Sequence, residues 1–311
     1  MSEPGIGIVP ELYRRRPNNP RSNGSRTLPE AQANRSPWSP PVGPLGELTA
    51  RAYAAVAPLR ASLAALEAAA AAAPAAPSFE AALRRSDVAV IAELKKKSPS
   101  KGDINASMDV TARAVEYARA GASALSVLTE PTRFGGALED LHAVRQAIVH
   151  AAAAGTLTPL LRKDFIVDRI QLLQARAAGA SAALLIARAL SPGQMESLAA
   201  EARAIGLEVL LEVRDEHELE RALAVGRAVI GVNNRNLETL VIDDAVSARL
   251  LPMIPKERVA VFESGVADRV GVERAAACGA DAVLVGSALS ASADGAAAVR
   301  SLIGVPRQPR G

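Results

Sequence analysis

Histidine and cysteine are nearly absent from this chain, which has three histidines and one cysteine in 311 residues. The lone Cys278 excludes an intramolecular disulfide framework and leaves no cysteine cluster for zinc, so a reducing compartment is expected. Followed by Gly279 and Ala280, it reads as a small apolar packing residue. His142, His150 and His217 stand in no ligand-like spacing, which argues against a histidine-based metal site. Long apolar runs are scarce too. The N-terminus lacks the apolar core of a signal peptide, and residues 61–76 are weakly hydrophobic and interrupted by Glu67 and Pro74. A soluble, cytoplasmic protein with no membrane partner is therefore expected. Nor is there a spread excess of either charge. The formal net charge of +3 arises in residues 1–44, where Arg14, Arg15, Arg16, Arg21, Arg26 and Arg35 face Glu3, Glu11 and Glu30. The rest of the chain is neutral, which removes the basis for a nucleic-acid partner.

At 49% hydrophobic residues, the chain has ample material for a core. Residues 1–44 hold nine of its 20 prolines and few large apolar groups, too few to offset the entropy of ordering, and read as a disordered tail. The tail has no assigned role; a partner for it is left open, and the folded part, 45–311, is expected to be a monomer. Trp38, the single tryptophan, lies in this stretch without forming a recognisable binding site. Residues 45–73 are rich in Leu and Ala and predict a helical cap that Pro58 splits or kinks.

After a short helical turn at 79–85, an alternation begins. Apolar strands are predicted at 88–94, 124–128, 158–161, 182–186, 208–213, 228–232, 259–262 and 282–285. Amphipathic stretches at 108–120, 138–152, 192–204, 216–224 and 269–277 lie between them. Eight such units over about 230 residues fit the (β/α)8 barrel, with a doubly wound open sheet as the alternative. Three Gly-Ala steps before strands, at Gly121, Gly179 and Gly279, read as helix C-caps, and their regularity favours the barrel.

In such barrels chemistry gathers where strands end. The run Val88-Ala89-Val90-Ile91-Ala92 ends in Glu93 and Lys95, which share one face of a strand. Other strands run into Lys163-Asp164-Phe165, Glu212, Asn233-Asn234-Arg235, Glu263-Ser264-Gly265 and Gly286-Ser287. Singly, each could be a solvated strand end or a structural ion pair; together they converge on one rim. The last two, Ser264-Gly265 and Gly286-Ser287, present backbone amides without bulky side chains, as a phosphate site after strands seven and eight would. A phosphorylated small-molecule substrate is therefore expected.

The segments Ile91-Ala92-Glu93-Leu94-Lys95, Ser98-Pro99-Ser100-Lys101-Gly102, Leu161-Arg162-Lys163-Asp164-Phe165, Glu208 to Glu212, Gly231 to Leu237 and Glu263-Ser264-Gly265 resemble the indole-3-glycerol phosphate synthase family. The resemblance spans roughly residues 45–303 in matching order and leaves out the tail. It implies closure of 1-(2-carboxyphenylamino)-1-deoxyribulose 5-phosphate to indole-3-glycerol phosphate, with loss of carbon dioxide and water and without a cofactor or metal. By the same resemblance Lys163 is the general acid, its pKa expected to be lowered by neighbouring cations. Glu212 and Asn233 would position Lys163 or the substrate, with Glu212 also a candidate base. Lys95 would hold the substrate carboxylate or act as a second acid, and Glu93 would take the proton released on dehydration. Phe134, Phe165 and Leu184 would wall the aromatic ring, Ser98, Arg235 and Ser264 would add polar contacts, and Gly265, Gly286 and Ser287 would hold the phosphate. The loop 99–105 would close over the ligand, pivoting at Gly102. Two departures from the family pattern stand out. The first helix carries the apolar run Ala52 to Val56, and Phe262 takes a place that is usually small, where it is expected to alter packing beneath the phosphate. Another phosphosugar barrel enzyme, such as the isomerase of the preceding step, and a non-catalytic barrel with an interaction tail are the rival readings.

Overall fold

The structure, a computed structural model, describes residues 38–99, 102–152 and 157–310. Most of the expected tail and the Ser100–Lys101 tip of the expected closing loop lie outside them. Eight parallel strands close into a barrel in sequential order. They are β1 (Ala89–Leu94), β2 (Ala124–Leu128), β3 (Leu160–Lys163), β4 (Ala182–Ile186), β5 (Glu208–Val213), β6 (Val229–Asn233), β7 (Ala260–Glu263) and β8 (Ala282–Val285). β8 pairs back onto β1 through Ala89 and Ala282, so no edge is left open. The open-sheet alternative is thereby excluded.

The expected third, sixth and seventh strands shift toward the carboxyl end, bringing Lys163, Asn233 and Glu263 into the ladder itself. At β3 the cause is Pro159, which has no N–H to give and serves the sheet only through its carbonyl, accepting from Leu125 N.

Twelve helices surround or cap the barrel among the described residues. Those that pack outside it include α4 (Val110–Arg119), α5 (Leu138–Ala151), α6 (Arg169–Ala177), α7 (Pro192–Ala204), α8 (Glu216–Ala224), α10 (Arg269–Ala277) and α12 (Gly295–Leu302). Strand residues alternate between two apolar clusters. Ile91, Leu161, Leu210 and Val261 point inward, while Val90, Leu160, Leu211 and Phe262 face the helices. Phe262 thus packs fully buried in the outer layer, so any packing it alters lies between strand and helices and not inside the barrel. Residue parity along β7 decides this: Val261 and Glu263 take the inner face.

Three helix exits use the same device. The amides of Ala122, Ala180 and Ala280 reach back to the carbonyls of Tyr117, Ala175 and Ala275 across glycines of positive φ.

α1 (Gly43–Leu59) contains Pro58, and a single 3-10 turn at Arg60–Ser62 separates it from α2 (Leu63–Ala72), the break the proline predicts. By length and composition, Gly43–Ala72 could cross a membrane. Here it is tied to the barrel. Leu45, Leu48 and Val56 are buried, Glu67 and Arg60 pair with Arg169 and Asp168, and Arg176 binds the carbonyls of Ala73 and Pro74. The apolar run Ala52 to Val56 seats partly through Tyr53, whose hydroxyl accepts from Gln194. The expected tail boundary at residue 44 also moves. Trp38 Nε1 donates to the Arg188 carbonyl, Arg188 binds the Ser39 carbonyl, and Val42 N donates to Glu238. Trp38, Ser39 and Val42, within the stretch expected as tail, are thus bound to the loops after β4 and β6.

The opposite, amino end of the barrel is closed by α3 (Phe79–Leu83), whose Phe79 and Leu83 join the inner cluster. The C-terminal segment straps across the same end. Val88 N donates to the Val305 carbonyl, and buried Asp281 receives Arg307, Arg310 and the amide of Ala260. Arg310, with only 3% of its side chain exposed, also reaches the carbonyls of Gly279 and Arg258. Arg310→Ala should strip buried Asp281 of one of its two arginines, leaving Arg307 and the Ala260 amide, and cost about 2 kcal/mol in urea denaturation at neutral pH. Because the strap lies at the end remote from the strand termini that carry the chemistry, the variant's turnover should match that of the parent.

Candidate active site

Closure of the barrel stacks inward side chains in layers drawn from alternate strands. Ile91, Leu161, Leu210 and Val261 form an apolar layer from β1, β3, β5 and β7. Two residues further along the same strands stand Glu93, Lys163, Glu212 and Glu263. Three carboxylates and one ammonium thus share one buried layer directly above aliphatic packing. Lys163 Nζ lies 3.0 Å from Glu212 Oε2 and 3.2 Å from Glu263 Oε2. Lys95, one step beyond β1, folds back to place Nζ 2.7 Å from Glu93 Oε1.

Glycines from the neighbouring even strands make the room. A Cβ on Gly231 would overlap Glu263 Oε1, and one on Gly286 would overlap Glu93 Oε1 and crowd Lys95 Nζ. Gly286 therefore serves the acid–base layer through its missing side chain, in addition to any backbone contact it offers at the rim.

The electrostatics correct one expectation. Lys163 was expected among cations that lower its pKa; its neighbours are carboxylates. Burial alone would depress it, but Glu212, Glu263 and Glu93 outweigh that and raise it well above the ordinary lysine range. The ammonium is loaded at neutral pH. For Glu263 burial raises the pKa to about 8; Lys163 opposes this, while Glu212 and Glu93 add to it. Among the described residues, Glu263 Oε1 has no hydrogen-bond partner.

Local sequence builds the walls. Glu130 accepts from the amides of Thr132, Arg133 and Phe134, winding the loop after β2 so that Phe134 faces Phe165, their ring centroids 6.4 Å apart. Gln171 accepts from Val167 N and Asp168 N and donates to the Phe165 carbonyl, fixing the loop after Lys163. On the outer face of β3, buried Arg162 binds Asp164, Thr129 and the Gln171 carbonyl, so both neighbours of Lys163 are clamped. Asn233 Oδ1 accepts from Ser264 Oγ and Arg235 N, 2.9 Å each, tying the ends of β6 and β7 together. Ser264 holds a left-handed backbone at φ 66°, followed by Gly265 at 87°.

All of the expected site residues line one cavity of about 440 Å³. Glu93, Lys95, Lys163, Glu212 and Asn233 sit at its charged base, with Ser98, Phe134, Phe165, Leu184, Arg235, Ser264, Gly265, Gly286 and Ser287 around it. The sequence reading placed Glu263 at the rim but gave it no role. Its signal was available: an acid two residues past Val261 on an inward-facing parity. Leu237, Leu240 and Ile242 of the β6 loop were missed, and they extend the apolar wall.

An enclosed acid–base layer at the carboxyl ends of a closed (β/α)8 barrel, beside an apolar wall, defines a barrel enzyme of the acid–base class. Two solved structures share this fold: thiamine phosphate pyrophosphorylase from Pyrococcus furiosus (TM-score 0.52, 16% identity, 71% of this chain and 95% of that one) and 3-hexulose-6-phosphate synthase from Salmonella typhimurium (TM-score 0.54, 16% identity, 69% and 96%). A family profile described as indole-3-glycerol phosphate synthase matches residues 47–302. Relatives carrying that name include one from Nocardioides sp., 50% identical over 71% of this chain and 82% of its own length, and one from Streptomyces griseus, 47% identical over 74% and 82%. The chain belongs to the indole-3-glycerol phosphate synthase family.

The raised Glu263 carboxyl gives a pH test. The folded protein keeps its proton between the ordinary value of 4.5 and about 8, so the stability this group contributes is complete below 4.5 and lost as pH rises through about 8. Glu263→Gln, which cannot ionise, should gain thermal stability relative to the parent as pH rises from 5 to 9. Parallel melting curves across that range would contradict the assignment.

Proposed function

We propose that Lys163 is the general acid in the decarboxylating, dehydrating ring closure that forms indole-3-glycerol phosphate in tryptophan biosynthesis, the activity of this family. The observation that carries the proposal is the ammonium held between Glu212 and Glu263 at the base of the cavity. Attack of the aromatic carbon on the ketose carbonyl develops an alkoxide, and a preformed ammonium there stabilises it first by charge and then by its proton. Glu212 and Asn233 orient the acid and the substrate. The Lys95–Glu93 pair serves the dehydration, Lys95 giving a proton to the departing hydroxyl and Glu93 taking the one released from carbon.

Phe134, Phe165 and Leu184 sandwich the anthranilate ring, and Ser98 and Arg235 meet the anionic groups. The backbone around Ser264, Gly265, Gly286 and Ser287 receives the phosphate. The reading carries with it a cytoplasmic, monomeric enzyme that needs no metal or cofactor, its catalytic fold running from Trp38 onward.

The direct test incubates the purified protein with the carboxyphenylamino deoxyribulose phosphate and follows indole fluorescence without added metal. Absence of product would remove the proposal. Lys163→Ala should lower kcat by about two to four orders of magnitude with a much smaller change in KM, and Lys163→Arg should restore little, since guanidinium holds its proton near neutral pH. If Lys163→Ala kept near-normal turnover while Lys95→Ala abolished it, Lys95 would be the acid.

Gly286→Ala separates two tasks of that residue. Displacement of Glu93 and Lys95 by the added methyl should lower kcat as well as raise KM. A pure KM effect would assign Gly286 to the phosphate alone.

A further inference from the structure

Beside the main cavity lies a second, smaller chamber of about 110 Å³. Glu212, Asn233 and Arg235 line both, while Arg188, Asp215 and Glu218 line the smaller one alone. It is too small for the substrate but has the volume of about four water molecules. Its lining is mostly charged, as ordered water requires. Glu218, in the first turn of α8, is 5% exposed, and one of its oxygens, Oε2, accepts from Arg214 N at 2.8 Å. The structural role of that contact is a helix cap, reciprocal to the bond from Glu218 N to Asp215 Oδ1.

The reaction supplies the demand. The carboxylate leaves as neutral carbon dioxide and the ketone oxygen as water, so closing the ring takes up two protons and releases one from carbon. Each turnover consumes one proton, so Lys163 must be reloaded before the next ring closure. The side chamber touches Glu212 and gives a route to it that a ligand in the main cavity does not occupy.

We propose that Glu218 and the water of this chamber form the proton inlet that reloads Lys163 through Glu212. The proton passes from the Glu218 carboxylic acid to water, from water to the Glu212 carboxylate, and from Glu212 across its 3.0 Å contact to the neutral Lys163 amine; solvent then reprotonates Glu218. The charge environment suits a donor that is part-protonated at working pH. Burial pushes the Glu218 carboxyl up to about 7 and neighbouring Asp215 adds to this, opposed by the Arg214 amide, Arg188 and Arg221. Glu212, Arg235, Glu238 and the Arg214 side chain are the other ionisable groups lining the chamber.

The inference rests on Lys163 being the acid, and the test is chosen to fail separately from that reading. Glu218→Gln keeps an oxygen to accept from Arg214 N but carries no acid proton. The first turnover, made by a loaded Lys163, should proceed at the parental rate. Later turnovers should slow about five- to tenfold, giving a burst of one product per enzyme with KM within twofold and melting temperature unchanged. A second measurement needs no variant: in the parent a burst should appear as pH is raised to 9, where Glu218 is deprotonated. Equal slowing of first and later turnovers, or no burst in either experiment, would reduce Glu218 to a helix cap and overturn the inlet. Loss of the first turnover in Lys163→Ala tests the acid and is independent of both outcomes.

Discussion

Everything in this barrel is arranged around a lysine ammonium buried among three carboxylates. Such a layer is costly to desolvate, and it persists only where attraction and hydrogen bonds offset that cost. Lys163 bonds Glu212 and Glu263, Lys95 answers Glu93, and five ionisable groups would still leave one negative charge. The raised pKa of Glu263 resolves the imbalance by letting it keep a proton near neutrality. The charge state of the acid is thereby set by the layer as a whole, and no single neighbour fixes it.

Holding that layer requires exact supports below and beside it. Aliphatic side chains one layer down prevent water from relaxing the charges, and Gly231 and Gly286 leave the space the carboxylates occupy. Arg162, Glu130 and Gln171 each bind several loop or strand groups, so the residues flanking Lys163 and the two phenylalanines are placed before any substrate arrives. Positioning of this kind reduces the reorganisation left for the chemical step.

The two ends of the barrel are fastened differently. At the amino end, the C-terminal strap locks Asp281 with two arginines, away from the acid–base layer. At the carboxyl end, Trp38 to Val42 bind Arg188 and Glu238, on the same loops that supply Arg235 and the apolar wall. One face can tolerate rigid closure, while the other must admit a ligand.

The amino-acid sequence by itself determined the barrel, through eight apolar strands, the helical stretches between them and the Gly-Ala exits, because periodicity and capping are local properties. It also determined which side chains meet at the rim, since a strand's last residues emerge at one end whatever the closure. Only the tertiary structure decided what those side chains experience. Parity along β7 turned Glu263 into the layer and Phe262 out of it. Carboxylates from strands far apart in sequence surrounded Lys163 and raised the pKa that cations were expected to lower. The chamber beside the main cavity exists only because β4, β5 and β6 lie side by side. Electrostatic environment and cavity depend on distances between remote segments, and those distances are set when the barrel closes.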